Sequence, residues 1–373
     1  MTIFALRRIR LAGVMVMICS LLIVTTAKKA GTESSRRIVT AANTFLATLN
    51  EKQRQTVLFA FDDKQQRARW SNFPTAVVPR RGISLKEMSL AQRSAAMALV
   101  SSALSPKGFE KVQQIMEGDE VNKINEANHP PFGNHGTPPL GNRVHQAPRG
   151  DLPAGALFGK DLYYISILGM PSAKNPWMLQ FGGHHLALNI TIVGERGVLT
   201  PTLTGAQPAL YKLGGKTVRP LGQESDKALA LLNALDDSQR KQAILSSRLA
   251  DLVLGPGQDG KVIQPEGLKA SAMTKRQKSM LLDLIGEWAG IIHEDVAAAR
   301  MAEVKADINE TWFLWSGPTT AAQGQNITAY YRIQGPHLVI EYAPQGERDD
   351  PATHVHTMYR DPTNDYGREL TKK

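Results

Sequence analysis

The sequence predicts an α+β fold made of two tandem pseudo-repeats, each a pair of capped helices followed by a β-rich region. Three observations carry this expectation. A helix-capping pattern occurs four times, two strand-like matches share one offset, and helix-forming sequence precedes strand-forming sequence in each half. Helices that come before strands, rather than alternating with them, point to α+β rather than to βαβ units.

The capping pattern occupies Leu49 to Arg54, Met88 to Arg93, Leu235 to Arg240 and Met273 to Lys278. Asn50, Ser89, Asp236 or Thr274 stands at the cap, and Gln53, Gln92, Gln239 or Gln277 follows three residues later. The cap side chain then accepts the N3 amide, while the Gln reaches back to the cap amide. Apolar residues at helical spacing follow the boxes, such as Val57, Leu58 and Phe61, or Ile244, Leu245, Leu249 and Leu252. Gly82-Ile83 and Gly267-Leu268 each stand six residues before the methionine that opens the second and fourth patterns.

The strand-like match pairs Gly183-His184-His185-Leu186-Ala187-Leu188 with Gly335-Pro336-His337-Leu338-Val339-Ile340. The same offset of 152 residues relates Gly194-Glu195-Arg196 to Gly346-Glu347-Arg348. Expected strands are 162–168, 177–181 and 185–193 in the first half, and 310–315, 327–334 and 337–342 in the second. Their imperfect alternation suits strands buried on both faces. A Pro/Gly-rich insertion is expected over 117–159, a connection over 211–226, and an irregular C-terminal segment from Pro344 onward. The resulting organisation is a leader at 1–27, a first pseudo-repeat over 28–210 and a second over 227–373.

The leader reads as a signal peptide. Arg7, Arg8 and Arg10 precede an apolar run from Leu11 to Val24, which ends in Thr25-Thr26-Ala27. The run is short for a membrane span, which needs about 20 apolar residues. The expected address is the periplasm or cell exterior of a bacterium. Cleavage after Ala27 removes those three arginines and no acid, which lowers the formal charge from +10 to +7. It also removes Cys19, the single cysteine, so no disulfide framework and no cysteine zinc site remain. Any metal must then be held by His and carboxylate.

Candidate chemistry centres on the histidines. His354 and His356 are spaced to share one face of an extended segment and present two imidazoles to one metal. Gln180 and His184 are expected on one face of their strand, with His185 on the other. The expected ligand set is His184, His354, His356 and Asp365, for zinc, iron, copper or manganese. His184 is a third ligand or a general base. Asp361 is a carboxylate ligand or orienter, with Glu224 as a further carboxylate, and Arg360 positions an anionic group. Candidate substrate contacts are Trp177, Gln180, His185, Arg332 and Tyr366. The bland alternative for His185 and His337 is a strand-start residue bonded to nearby backbone. Arg332, Arg348, Arg360 and Lys212 form a second candidate, a basic cleft for carboxylate or phosphate.

Three segments carry a resemblance: Trp177 to Asn189, Thr200 to Pro208, and His354-Val355-His356 running into Arg360-Asp361-Pro362-Thr363-Asn364-Asp365-Tyr366-Gly367. On these the chain resembles the uncharacterised bacterial "domain of unknown function 3500" family, over nearly all of the mature sequence. The resemblance implies no activity, so function rests on the site itself. The leading expectation is a metal-dependent enzyme, hydrolytic or oxidative. The alternative is a non-enzymatic periplasmic protein that binds a small anionic ligand in the cleft between the pseudo-repeats. There is no Gly-x-Ser-x-Gly elbow, Walker loop or His-Glu-x-x-His motif. The positive charge is scattered and not interleaved with aromatics, which argues against nucleic acid. No membrane contact beyond the leader is expected.

Overall fold

A computed structural model describes residues 33–128, 157–345 and 350–372. The leader, most of the expected insertion, and the Gly346-Glu347-Arg348 triplet lie outside the described residues. The fold is mixed α and β. Its centre is a 12-stranded sheet in which all pairings but one are antiparallel.

All four capping boxes form. They open α2 (Glu51–Val57), α4 (Leu90–Ala103), α7 (Asp237–Ala243) and α8 (Lys275–Ala289). The helix α1 (33–48) precedes them, and α3 (Lys64–Arg67) is a single turn. The choice of Gln over Glu at the boxes has a tertiary reason. Gln92 donates to Gln53 Oε1 at 2.8 Å, and Gln277 donates to Gln239 Oε1 at 2.8 Å. A carboxamide caps through its oxygen and still has an N–H to give to its neighbour, whereas paired glutamates would repel.

Two boxes open shorter helices than the apolar spacing predicts. The chain turns extended at Leu58 (ψ 130°) and at Ile244 (ψ 118°). There, β1 (Leu58–Phe59) pairs in parallel with β3 (Tyr164–Leu168), and Ile244 bridges in parallel to Trp315. Sheet pairing satisfies these backbones and overrides a marginal helical spacing.

In the first half follow β2 (Ile83–Ser84), α5 (Pro106–Asn128), β4 (Trp177–Gly183), β5 (Leu186–Val193), β6 (Arg196–Val198) and β7 (Thr202–Ala206). Residues 117–128, expected within the insertion, continue α5. The expected connection is a two-stranded ribbon, β8 (Tyr211–Leu213) and β9 (Lys216–Val218), leading into α6 (Gly222–Asn233). The second half continues with β10 (Leu268–Lys269), α9 (Glu294–Ala306), β11 (Trp312–Ser316), β12 (Tyr330–Gly335), β13 (Leu338–Pro344) and β14 (Val355–Arg360). A short α10 (Arg368–Thr371) follows.

The sheet order is β1-β3-β4-β5-β7-β14-β13-β12-β11-β10, with β2 on β3 and β6 on β5. The halves meet at β7–β14, where the Thr204 and Thr357 hydroxyls lie 2.7 Å apart. The C-terminal segment, expected to be irregular, therefore supplies a strand at the middle of the sheet. Its polar residues hid this in the sequence, but all six residues of β14 are buried.

Alternation along β14 divides its side chains. Val355, Thr357 and Tyr359 face the helical layer, where Trp288 of α8 donates to Thr357 at 3.0 Å. His356, Met358 and Arg360 face the opposite side. That side is covered by two loops, 60–82 and 245–267, whose Trp70, Leu249 and Leu252 pack on the strands. Polar chemistry collects beneath these loops.

Candidate metal centre

The hairpin β4–β5 closes on a two-residue turn, His184-His185, between paired Gly183 and Leu186. His185 takes φ +56°, a left-handed conformation uncommon outside glycine. Such a conformation costs about 1–3 kcal/mol and persists only when its surroundings enforce it. Two backbone bonds do so here: Gly205 N–H donates to His185 O at 2.6 Å, and His185 N–H donates to Asn72 O at 3.4 Å. The twist sends the His185 ring toward the start of β14.

There it meets His354 and His356. The three Nε2 atoms form a near-equilateral triangle: His185 to His356 is 3.1 Å, and His354 is 3.2 Å from each of the others. A tetrahedral ion with nitrogen bonds of 2.0–2.1 Å separates its ligand atoms by about 3.3–3.4 Å. An imidazole nitrogen either donates or accepts, so three converging ring nitrogens cannot all be paired with one another. At least two of them are alike, two lone pairs or two N–H groups, and a cation between three lone pairs resolves this.

At His185 and His356 the surroundings favour the neutral ring. Burial, reinforced by the neighbouring imidazoles, pushes His185 well below the ordinary imidazole range. Burial also pushes His356 down to about 4, against a raising pull from Asp251. The Asp251 carboxylate lies 3.7 Å from His356 Nδ1, and the Asn72 amide lies 3.4 Å from the same atom. Asn72 and Asp251 come from the two covering loops, one from each half.

Gly205 makes the convergence sterically feasible. It stands directly opposite His356 in the β7–β14 pairing. A Cβ on Gly205 would fall 2.9 Å from Val355 O and 3.2 Å from His185 Cβ and Cδ2. The missing side chain is the space the His185 ring uses.

His184 points elsewhere. Its Nδ1 bonds Asp119 Oδ1 of α5 at 2.7 Å. Tyr163 OH bonds Asp119 Oδ2 at 2.7 Å and the His184 carbonyl at 2.9 Å. Burial raises the Asp119 carboxyl from its usual range, against lowering contributions from His184 and Tyr163. Atoms of Asp119, His184 and His185 lie within 4.8 Å of one another, so this group resembles a second ligand set. Its geometry fits a hydrogen-bonded pair instead. A spacing of 2.7 Å is too short for two ligands of one tetrahedral ion. The His184 and His185 rings pack against each other, 3.6 Å between centroids and tilted 32°.

The remaining sequence candidates are placed as follows. His354 and His356 come together as their spacing predicts, but His185 rather than His184 joins them, because a turn rather than a strand sets the direction of each ring. Asp365 is held by Arg360 at 2.8 Å and by the Asp361 N–H at 2.9 Å, and is not among the converging groups. Arg360, four residues along β14 from His356, also bonds Asp259 and the carbonyls of Leu254 and Gly255. At about 3.3 Å per residue, that places it about 13 Å down the strand.

Asp361 accepts from Thr363 and Asn364 and pairs with Arg300 at 3.0 Å. Tyr366 donates to Asp259 and accepts from Trp70. These residues staple the C-terminal segment to loop 245–267, to Trp70 of loop 60–82 and to Arg300 of α9. Arg332 pairs with Glu266 at 2.8 Å, and Glu224 pairs with Lys111. Lys212 lies exposed on the ribbon, and Arg348 is outside the described residues. Among the described residues, Arg332 and Arg360 are thus already paired with carboxylates, and Lys212 lies on the ribbon. Trp177 is fully buried in the core beneath the helices. Gln180 is buried in an amide network with Gln66 and Asn189.

Asp119 had a readable signal. Val112, Ile115 and Met116 form the buried stripe of α5, and Asp119 continues it at helical spacing. A carboxylate on an apolar stripe asks for a buried partner. Asn72 and Asp251 sit in irregular loops and carry no such signal.

Neither the curated proteins nor the solved structures contain a match to the chain. One family model matches residues 31–368, nearly the whole length the structure describes, under the description "protein of unknown function (DUF3500)". Its span includes every residue of the histidine centre, and the chain belongs to this family.

Proposed function

We propose that the chain is a metalloprotein whose three imidazoles hold one zinc ion and activate water for a hydrolytic reaction. The near-equilateral Nε2 triangle carries the three-imidazole part of this reading. The facial half of an octahedral ion would set a similar triangle, and zinc is chosen because three histidines with one open position are a usual catalytic zinc arrangement. Square-planar coordination, usual for Cu(II), would instead set ligand pairs at about 2.8 Å and 4.0 Å for bonds near 2.0 Å. Three protein ligands leave a fourth position for water, whose pKa zinc lowers to about 7. A redox-inert ion favours hydrolysis over oxidation. The anion-binding alternative has less support, because Arg332 and Arg360 are already ion-paired.

The reading is of an exported protein. The basic, apolar and small-residue sequence of 1–27 supports export, and a cysteine-free site suits an oxidising compartment. The two halves read as products of a duplication. Shared capping boxes, the matching Leu58 and Ile244 pairings and the antiparallel join at β7–β14 support this.

Metal content tests the function. Protein purified without chelators and equilibrated with zinc should carry one zinc per chain by elemental analysis, and His185→Ala or His356→Ala should carry none. Wild-type protein that takes up no metal at saturating zinc overturns the reading.

A further inference from the structure

Ligating histidines ordinarily fix their rings by donating the second N–H to a carboxylate or carbonyl. His356 has Asp251 in that place. His185 has nothing there: its Nδ1 is buried with no hydrogen-bond partner among the described residues. Yet it is the ligand with the most demanding backbone, at φ +56°. Something other than an Nδ1 bond must hold its ring.

The groups that do so lie against the ring itself. Gly205 backs its Cβ and Cδ2, and the His184 imidazole packs against it, 3.6 Å between centroids at a 32° tilt. His184 is in turn immobilised from outside the hairpin. Asp119 takes its Nδ1–H, and Tyr163 ties both Asp119 and the His184 carbonyl. The partners sit on α5 and on the residue before β3, so the clamp joins the helical layer to the turn. The Phe158 ring packs on His184, 4.9 Å between centroids.

We propose that Asp119 is a positioning residue for the metal centre, acting through His184 to orient His185 by stacking in place of the usual hydrogen bond. The proposal rests on the three-imidazole reading above. Asp119 neither ligates the ion nor touches substrate. It keeps His184 in the Nδ1–H tautomer and in one plane, and that plane fixes where His185 Nε2 points. A displaced ligand atom weakens the site even when the fold is intact, because ligand geometry enters the affinity directly.

Zinc affinity, measured by competition with a chromophoric chelator on the full chain, tests this together with visible spectra of the cobalt-substituted protein. Asp119→Asn should weaken zinc binding about 10–100-fold, the range for outer-shell partners, while still reaching one zinc per chain at saturation. Its cobalt bands should shift and weaken as the tetrahedral set distorts. His184→Phe keeps a stacked ring without the anchor and should show a similar loss. If Asp119→Asn fails to fold by circular dichroism, His184→Phe decides. Variants with wild-type zinc affinity and unchanged cobalt bands overturn the positioning role alone. A wild-type chain that takes up no zinc overturns the metal reading and this proposal with it.

Discussion

The hairpins β4–β5 and β12–β13 hold matching places on either side of the β7–β14 join, and each turns through two residues ending in histidine. Their histidines meet opposite fates. His185 is 2% exposed and faces two other imidazoles. His337 is half-exposed, with Thr363 at 3.1 Å and Asp307 at 3.9 Å.

Two differences account for this. Pro336, with φ held near −65°, occupies the position of His184, and His337 does not adopt a left-handed backbone. The helix beside each hairpin also differs in reach. The helix α5 runs 23 residues and carries Asp119 to the turn, whereas α9 runs 13 and ends before Asp307. The β4–β5 tip is thus held by a buried helix carboxylate, whereas Asp307 beside the β12–β13 tip is half-exposed.

Acidification should separate the two most strongly. In metal-free protein, burial holds His356 at about 4 against 6.5 in the unfolded chain. Between those values the unfolded state binds the extra proton, so stability falls as pH drops from 6.5 toward 4 and is flat above. The loss is on the order of 3 kcal/mol. Chemical denaturation across this window should show a shallower slope in His356→Ala than in wild type, with the remaining slope carried by His185, which burial also holds below its ordinary range.

Next in size is zinc itself. At about 100 times its dissociation constant, a ligand that binds only the folded state adds about 2.7 kcal/mol. Thermal melts should rise with zinc in wild type and in His337→Ala, and not in His185→Ala. A zinc-induced rise that survives in His185→Ala would place binding elsewhere.

Gly205→Ala should cost about 1–3 kcal/mol of stability by overpacking and weaken zinc binding, since the new methyl competes with the His185 ring. Chemical denaturation of the metal-free protein reads the first effect, and calorimetric titration with zinc the second. Smaller and opposite in sign is His185→Gly. Relieving the positive φ should stabilise the metal-free fold by up to about 1 kcal/mol while abolishing zinc uptake. His337→Ala should change stability by less than about 0.5 kcal/mol and leave zinc affinity untouched.

Local chemistry was readable from the chain. The four capping boxes form because their bonds join residues three apart, so spacing alone specifies them. The pairing of His354 with His356 follows from the period of an extended strand, again a local property. The strands around 177–181 and 185–193 are legible for the same reason, although His184 and His185 belong to the turn between them and strand alternation does not set their ring directions.

The rest was decided by contacts distant in sequence. Nothing near residue 355 signals that it will pair with residue 206, and that pairing makes an irregular-looking tail the middle of a sheet. Arg360, Asp361, Asp365 and Tyr366 looked like site chemistry because polar residues crowd a turn. Only the fold supplies Asp259, Arg300 and Trp70, which absorb them into structure. The sequence by itself determined the caps, the strand periods, the family and two of the three converging imidazoles. The third imidazole, its clamp and the space beneath it were left to the tertiary structure, because the Nε2 triangle joins residues 169 and 171 positions apart, and no local rule encodes such a distance.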